Sequence, residues 1–176
     1  MRPARPLALV LLLAFVSIAA GCSATHAARP WAASVCTTLA PWRTEIGSLT
    51  SRAQQQMSAL TTPGQAKENL TRLFAGAENA SERARAGVAN AGVPDVEDGD
   101  QIANGFLSSL AAMRDAYGKA RTGIEALPTA PAETFYDQVG KVVQQLQADY
   151  QKSSLDTSNL HSEELKTAFD EVPECR

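Results

Sequence analysis

Apolar residues recur along this chain in steps of three and four, in four long stripes separated by breaks that carry proline, glycine or both. The first stripe runs Trp31, Val35, Leu39, Trp42, Ile46, Leu49, Ala53, Met57, Leu60, with Arg43, Glu45 and Arg52 outside it. That spacing gathers the apolar side chains on one face of an α-helix. Pro41 interrupts the stripe, either kinking the helix or marking its true start after a short turn. Thr61-Thr62-Pro63-Gly64 reads as a boundary, with threonine as N-cap and proline in the first helical position. The second stripe is Ala66, Leu70, Leu73, Ala77, Ala80, Ala84, Val88, Ala91. Its charged residues fall elsewhere, and Glu68 to Arg72 forms a favourable i, i+4 pair. A seam this rich in alanine lets a neighbouring helix approach closely; it stops at Gly92-Val93-Pro94. The third stripe, Ile102, Phe106, Leu110, Met113, Tyr117, Ala120, Ile124, Leu127, is free of charge and ends at Pro128-Thr129-Ala130-Pro131. The fourth is Phe135, Val139, Val142, Leu146, Tyr150. After a polar break at Ser153 to Asn159, a short fifth helix fits Ser162 to Glu171 and buries Leu165, Ala168 and Phe169.

No segment alternates with period two for long enough to make a strand, and no repeat of the solenoid kind is visible. Four long amphipathic segments with short connections predict an all-α fold. The expected architecture is one antiparallel four-helix bundle over residues 31–176, with the short fifth helix at its C-terminus.

The chain begins differently. Arg2 and Arg5 precede the almost wholly apolar run Leu7 to Ala19, and Ser17-Ile18-Ala19-Ala20-Gly21-Cys22 follows with small residues before the cysteine. A basic n-region, a short apolar core and a small-residue cleavage site are the parts of an export signal. The apolar run is too short for a transmembrane helix, which needs about 20 residues. The segment resembles the lipobox leader of bacterial lipoproteins, although Ala19 stands where that pattern prefers Leu or Val. The resemblance implies removal of residues 1–21 as a signal peptide, lipidation of Cys22 (palmitate among its acyl chains), and attachment to the extracytoplasmic face of a cell membrane. Cleavage by ordinary signal peptidase, giving a free secreted protein with an odd thiol, is the alternative. Residues 22–30, with Ser-Ala-Thr-His-Ala-Ala-Arg-Pro after the cysteine, lack apolar periodicity and read as a tether. Eight residues reach at most about 28 Å, so the domain is expected close over the bilayer. With Val35-Cys36 opening an alanine-rich helical region and Val172-Pro173-Glu174-Cys175 closing it, the mature part is similar in style to small helical lipoproteins of high-GC Gram-positive bacteria. That likeness implies an address and an architecture, without an activity.

Once Cys22 is assigned to lipid, Cys36 and Cys175 remain as an even pair in an oxidising compartment, and a structural disulfide is the expected use. A redox-active pair would want a Cys-x-x-Cys motif or a nearby activating histidine, and neither is present. An up-down-up-down bundle would return its C-terminal tail to the end where the first helix begins, bringing Cys175 toward Cys36. Charge excludes one partner class. Without Arg2 and Arg5 the 16 basic residues become 14, against 19 acidic ones, so the mature formal charge is −5. Phosphate backbones demand a basic face, and no nucleic-acid partner is expected.

Candidate chemistry is sparse. His26 and His161 have no second histidine or cysteine at metal-ligand spacing, so no metal, haem or other cofactor is expected. Asp95, Glu97, Asp98 and Asp100 gather in one loop, but without the closing glutamate of a calcium loop. The plainer reading is a solvated loop in which Asp98 or Asp100 caps the third helix. There is no Gly-x-Ser-x-Gly elbow or phosphate-binding glycine loop, and the adjacent Glu163 and Glu164 point to different faces. Asn69-Leu70-Thr71 and Asn79-Ala80-Ser81 match the glycosylation sequon by chance, within a predicted helix. Glycines 47, 76, 87, 105, 118, 123 and 140 fall inside predicted helices, at about 1 kcal/mol each relative to alanine. They mark either close packing and neutral surface, or weak points where the bundle opens around an apolar ligand. Trp31 and Trp42 belong to the core stripe, although Trp31, beside the tether, is also placed to touch a membrane interface. The expected protein is a non-catalytic envelope lipoprotein that binds another envelope protein or a wall component. The alternative is a carrier or sensor of an apolar small molecule.

Overall fold

The computed structural model describes residues 25–58, 60–153 and 162–176. The expected signal peptide, Cys22 and His161 lie outside these residues. The elements in order are β1 (Thr25–His26), α1 (Ala28–Gln55), α2 (Pro63–Asn90), β2 (Val93–Pro94), α3 (Gly99–Ala126), α4 (Ala132–Lys152) and α5 (Glu163–Glu171). A 3₁₀ turn, Pro173–Cys175, closes the chain. The expected helical bundle is present, and the Cys36–Cys175 disulfide staples it. The two half-cystines have Cα atoms 5.0 Å apart and lie 139 residues apart in sequence.

Local chemistry accounts for most helix ends. Thr62 caps α2, its hydroxyl accepting from the Gln65 N–H at 3.3 Å while the Gln65 side chain accepts from the Thr62 N–H at 3.0 Å. This reciprocal box satisfies two of the donors that a helix start leaves unpaired. Ser162 does the same work for α5, accepting from the Leu165 N–H at 3.3 Å. Helix α1 runs straight through Pro41, which is exposed, so the proline is an interior residue and the helix does not start there. At the other end α1 stops at Gln55, earlier than its stripe suggested. Met57 falls outside the helix and Leu60 is 91% exposed.

The segment expected as a tether, residues 22–30, is in part regular structure where it is described. Residues 28–30 are the first turn of α1, and Ala28 is buried. Pro30 fits there because first-turn N–H groups have no helical partner to lose. Thr25 and His26 are not free chain either: they pair in parallel with Val93 and Pro94, a two-residue ladder that the apolar pattern did not foreshadow. The strap forms where Gly92, at φ 71°, turns the chain out of α2. Asp98 also adopts a left-handed backbone, φ 57°, and stands at the N-cap of α3 without a side-chain hydrogen bond. Asp100 lies in the first turn of α3, where its charge suits the helix dipole. Gly99 is obligatory between them, because a Cβ there would collide with the Pro94 carbonyl oxygen.

Two apolar clusters fill the bundle. The upper one joins Trp31, Val35 and Leu39 of α1, Ala84 and Val88 of α2, Ile102, Phe106 and Leu110 of α3, and Leu165, Ala168 and Val172 from the C-terminal segment. Trp31 is fully buried, which settles its place as core, and its Nε1–H donates to the Gly92 carbonyl at 2.9 Å. Phe106 and Phe169 stack at 5.9 Å, and Trp31 meets both edge-on at 5.5 and 6.0 Å. Phe74, Ala77, Tyr117, Ala120 and Ile124 form the lower cluster, ringed by half-buried residues including Ile46, Leu49, Val139, Val142 and Leu146.

Helix α4 is the shortest of the four long helices, buries only Phe135, and packs chiefly on the C-terminal half of α3. The position beside the N-terminal half of α3, which a full-length fourth helix would fill, is taken by α5 and its turn. These pack on α1 and are held there by the disulfide. The fourth column of the bundle is therefore split between two helices.

The interior glycines divide as well. At Gly76, Gly87 and Gly118 an added Cβ would come within 3 Å of Leu49, Thr38 and Glu78 respectively, so these permit close helix approach. Gly47, Gly105 and Gly140 face open space.

Reduction of the disulfide, or Cys175→Ser, is expected to lower stability in urea unfolding by up to about 5 kcal/mol, the chain-entropy value for a loop of this size. Ellman titration of denatured, unreduced protein should find no free thiol at Cys36 or Cys175. Replacing Gly47, Gly105 or Gly140 with alanine is expected to add about 0.5–1 kcal/mol each in the same assay. Gly99→Ala is expected to remove about 2 kcal/mol or more.

Candidate functional site

Three concavities on the described surface are open grooves. One, of about 680 Å³, runs over α3 beside Glu78, Asp115, Gly118 and Arg121. The other two adjoin each other along the seam between α1 and α2, near the loop that joins them, with volumes of about 490 and 330 Å³. The smaller of this pair is lined by Leu49, Arg52, Ala53, Gln56, Asn69, Arg72 and Leu73. It combines an apolar floor, two amides and two guanidinium groups, and no carboxylate lines it.

Asn69 organises this groove. Only 8% exposed, it donates from Nδ2 to the Gln56 carbonyl at 3.2 Å, satisfying an acceptor that the end of α1 leaves without a helical donor. Its Oδ1 accepts from Nη2 of Arg72. Arg72 thus bonds to a buried amide one turn back and makes no ion pair with Glu68, its expected i, i+4 partner. Arg52 donates from Nε to the Ser48 carbonyl at 3.3 Å. Neither arginine has a carboxylate within ion-pairing reach among the described residues.

Other arginines contrast with these two. Glu82 is held by Arg85 on its own helix at 2.6 Å and by Arg114 of α3 at 2.8 Å, and Arg114 also reaches Asp115. Hydrogen bonds from Arg85 and then Arg114 pull the Glu82 carboxyl down to about 2. Arg121 links Glu78 of α2 to Glu125 of its own helix. Arg83 pairs with Glu45 of α1 at 2.7 Å, and Arg29 with Glu171 of α5 at 2.8 Å. These pairs stitch helix to helix. Tyr117 is a separate case: burial, with a smaller contribution from Tyr150, pushes its phenol up to about 12.

The residues singled out in the sequence are scattered. Cys36 lies on the buried side of α1 and Cys175 in the terminal turn, joined to one another and remote from the α1–α2 groove. Asp95, Glu97, Asp98 and Asp100 are all exposed, and among the described residues no three histidine, cysteine or acidic groups are arranged to hold a metal ion. Glu163 pairs with Lys166 at 2.7 Å. Trp42 donates from Nε1 to Ser81 Oγ at 3.2 Å, and the Ser81 hydroxyl in turn donates to the Ala77 carbonyl at 2.9 Å. The groove formed by Arg52, Asn69 and Arg72 had no sequence motif to mark it. No helix among the described residues is long and apolar enough to cross a membrane.

Comparison with protein-family models, with curated proteins and with solved structures finds no match to this chain.

The depressed Glu82 carboxyl has a consequence for acid stability. Its ion pairs contribute fully above about pH 4.5, the unfolded value, and that contribution is lost as pH falls toward about 2. Glu82→Gln is expected to flatten the dependence of unfolding free energy on pH within this window, as measured by urea denaturation at stepped pH. Across the neutral range the variant should show its full, constant deficit, the modest one of a lost surface pair, and that deficit should shrink as pH falls toward about 2.

Proposed function

We propose that this protein is a membrane-anchored cell-envelope lipoprotein, held by acyl chains on Cys22, and that it acts as a non-catalytic binding module. The observation that supports this reading best is the separation of the strapped N-terminal end from the α1–α2 groove. Thr25 pairs with Val93 at one end of the bundle, and the groove residues of α1 begin at Leu49. At 1.5 Å per helical residue, Leu49 to Gln56 lie roughly 30–40 Å along α1 from Ala28. Ser23 and Ala24 alone stand between Cys22 and Thr25, a reach of about 10 Å. Acyl chains on Cys22 would therefore hold the strapped end against the headgroups and leave the groove facing outward, toward an envelope protein or wall component.

The exposed acids of the 95–100 loop lie at the same end as the strap. Anionic headgroups would repel them, so adhesion falls to the lipid, and stable anchoring needs two or more acyl chains. For the binding role, the uncompensated charge of Arg52 and Arg72 beside an apolar floor is the feature that suits a ligand. A second reading, a carrier or sensor of an apolar small molecule between the helices, is favoured by the lower cluster, whose rim of half-buried apolar side chains stays partly open to water.

Intact-mass measurement of the protein extracted from its own membrane is expected to give a chain starting at Cys22 with added diacylglyceryl mass. Cys22→Ser is expected to abolish that mass and to release the protein from the membrane fraction. An unacylated native chain, or a serine variant that stays membrane-bound, would overturn the anchoring. An apolar molecule retained through extraction would favour the carrier.

A further inference from the structure

We infer that the groove between α1 and α2 is a binding site for a small organic acid, its carboxylate held by Arg52 and Arg72 and its apolar body resting on Leu49, Ala53 and Leu73. This assignment goes beyond membrane anchoring and stands whether or not Cys22 carries lipid.

Three observations carry it. The first is charge. The protein is acidic, yet this 330 Å³ groove carries two guanidinium groups and no carboxylate. Arg83, Arg85, Arg114 and Arg121 all spend their charge on ion pairs between or along helices. Arg52 and Arg72 spend theirs on none, and each makes one side-chain hydrogen bond among the described residues. Most of their donors stay available, and a planar guanidinium presents paired donors that match a carboxylate.

The second is preorganisation. Arg72 is held by Asn69, whose own amide is fixed to the Gln56 carbonyl, so the cation is set in place before a ligand arrives. Fixing a long side chain beforehand reduces the ordering cost of binding. The third is shape and lining. Leu49 packs closely over Gly76, where an added Cβ would lie 2.8 Å from its Cδ2, so the floor is apolar and leaves room for a small ligand only above it. The volume is at the lower end of the range of small-molecule sites. An inorganic anion would leave that floor uncovered; an acid with a few carbons would cover it. Glu68 lines only the adjoining, more polar groove, so a second acidic group on the ligand would meet repulsion there.

The test is an NMR titration of the oxidised full-length chain in detergent, following the Arg52 and Arg72 Nε–H and Asn69 Nδ2–H signals. The probes are N-acetyl-alanyl-alanine, its neutral C-terminal amide, hexanoate and inorganic phosphate, at constant ionic strength. The expected result is saturable movement of all three signals by the dipeptide acid, with Kd on the order of 1 mM, and none by the amide. Arg52→Gln, at an exposed position, is expected to keep the parent melting temperature, and Arg72→Gln, which removes the donor to Asn69, to lower it while leaving the protein folded; each is expected to weaken binding at least about tenfold. Response to hexanoate in place of the dipeptide also supports the site and makes an acyl acid, rather than a peptide terminus, its ligand. Silence of the three signals to both acids up to about 20 mM overturns the inference. So does equal binding of the neutral amide, tighter binding of phosphate than of either acid, or binding that survives both arginine substitutions.

Discussion

A covalent link between the beginning of α1 and the last turn of the chain carries the constraint on which this fold depends. Helix α5 has nine residues, well short of the 12–15 at which an isolated helix becomes even marginally stable in water. Yet Leu165, Ala168, Phe169 and Val172 supply one wall of the upper core. The Cys36–Cys175 bond resolves this, since it removes most of the loop-closure entropy that the segment would otherwise oppose to docking. With α5 in place, Trp31 is sealed between Phe106 and Phe169, and its indole N–H finds the Gly92 carbonyl. The Arg29–Glu171 pair adds an exposed contact across the same junction, worth little alone.

Charge is arranged on the same plan of joining neighbours. The ionic ladder Glu82–Arg114 and Glu78–Arg121 lines the α2–α3 seam, where glycine and alanine bring the helices close. Opposite charges at a tight seam favour one alignment of the two helices over slipped ones, which an alanine-rich interface would distinguish poorly by shape. Among the described residues the α1–α2 seam has one such pair, Arg83–Glu45, and beyond it the charges stop being complementary and the groove begins.

How much of this was legible depends on what kind of physics set each feature. The helical stripes were readable because burial imposes a period, and all of the third stripe except Leu127 is buried as its spacing required. The Thr62-Pro63 boundary was readable because capping is local. The disulfide followed from cysteine parity. What escaped was set by relations between distant segments. Leu60 fits the first stripe by spacing, but α1 ends before it, at a C-cap whose Gln56 carbonyl is taken by Asn69 of the next helix and by the Thr61 hydroxyl. The strap of Thr25 to Val93 joins residues 68 positions apart, with no alternation to announce it. Phe74 is buried beside the residues chosen for the second stripe, since α2 faces α3 more squarely than α1. The groove escaped for the same reason: Arg72 had a helical partner by spacing, and only the packed structure diverts it to Asn69.

The split fourth column makes the two halves of the domain unequal in strength. Helix α4 contributes one fully buried side chain, while α1, α2, α3 and α5 share the upper apolar cluster around Trp31. It also lies inside the 36–175 covalent loop. Amide hydrogens on α4 would then exchange through a partial opening far cheaper than global unfolding, while those of α3 around Leu110 wait for the whole domain to come apart. The molecule can thus loosen along one side without releasing either end of its chain, like a book opened against a sewn spine.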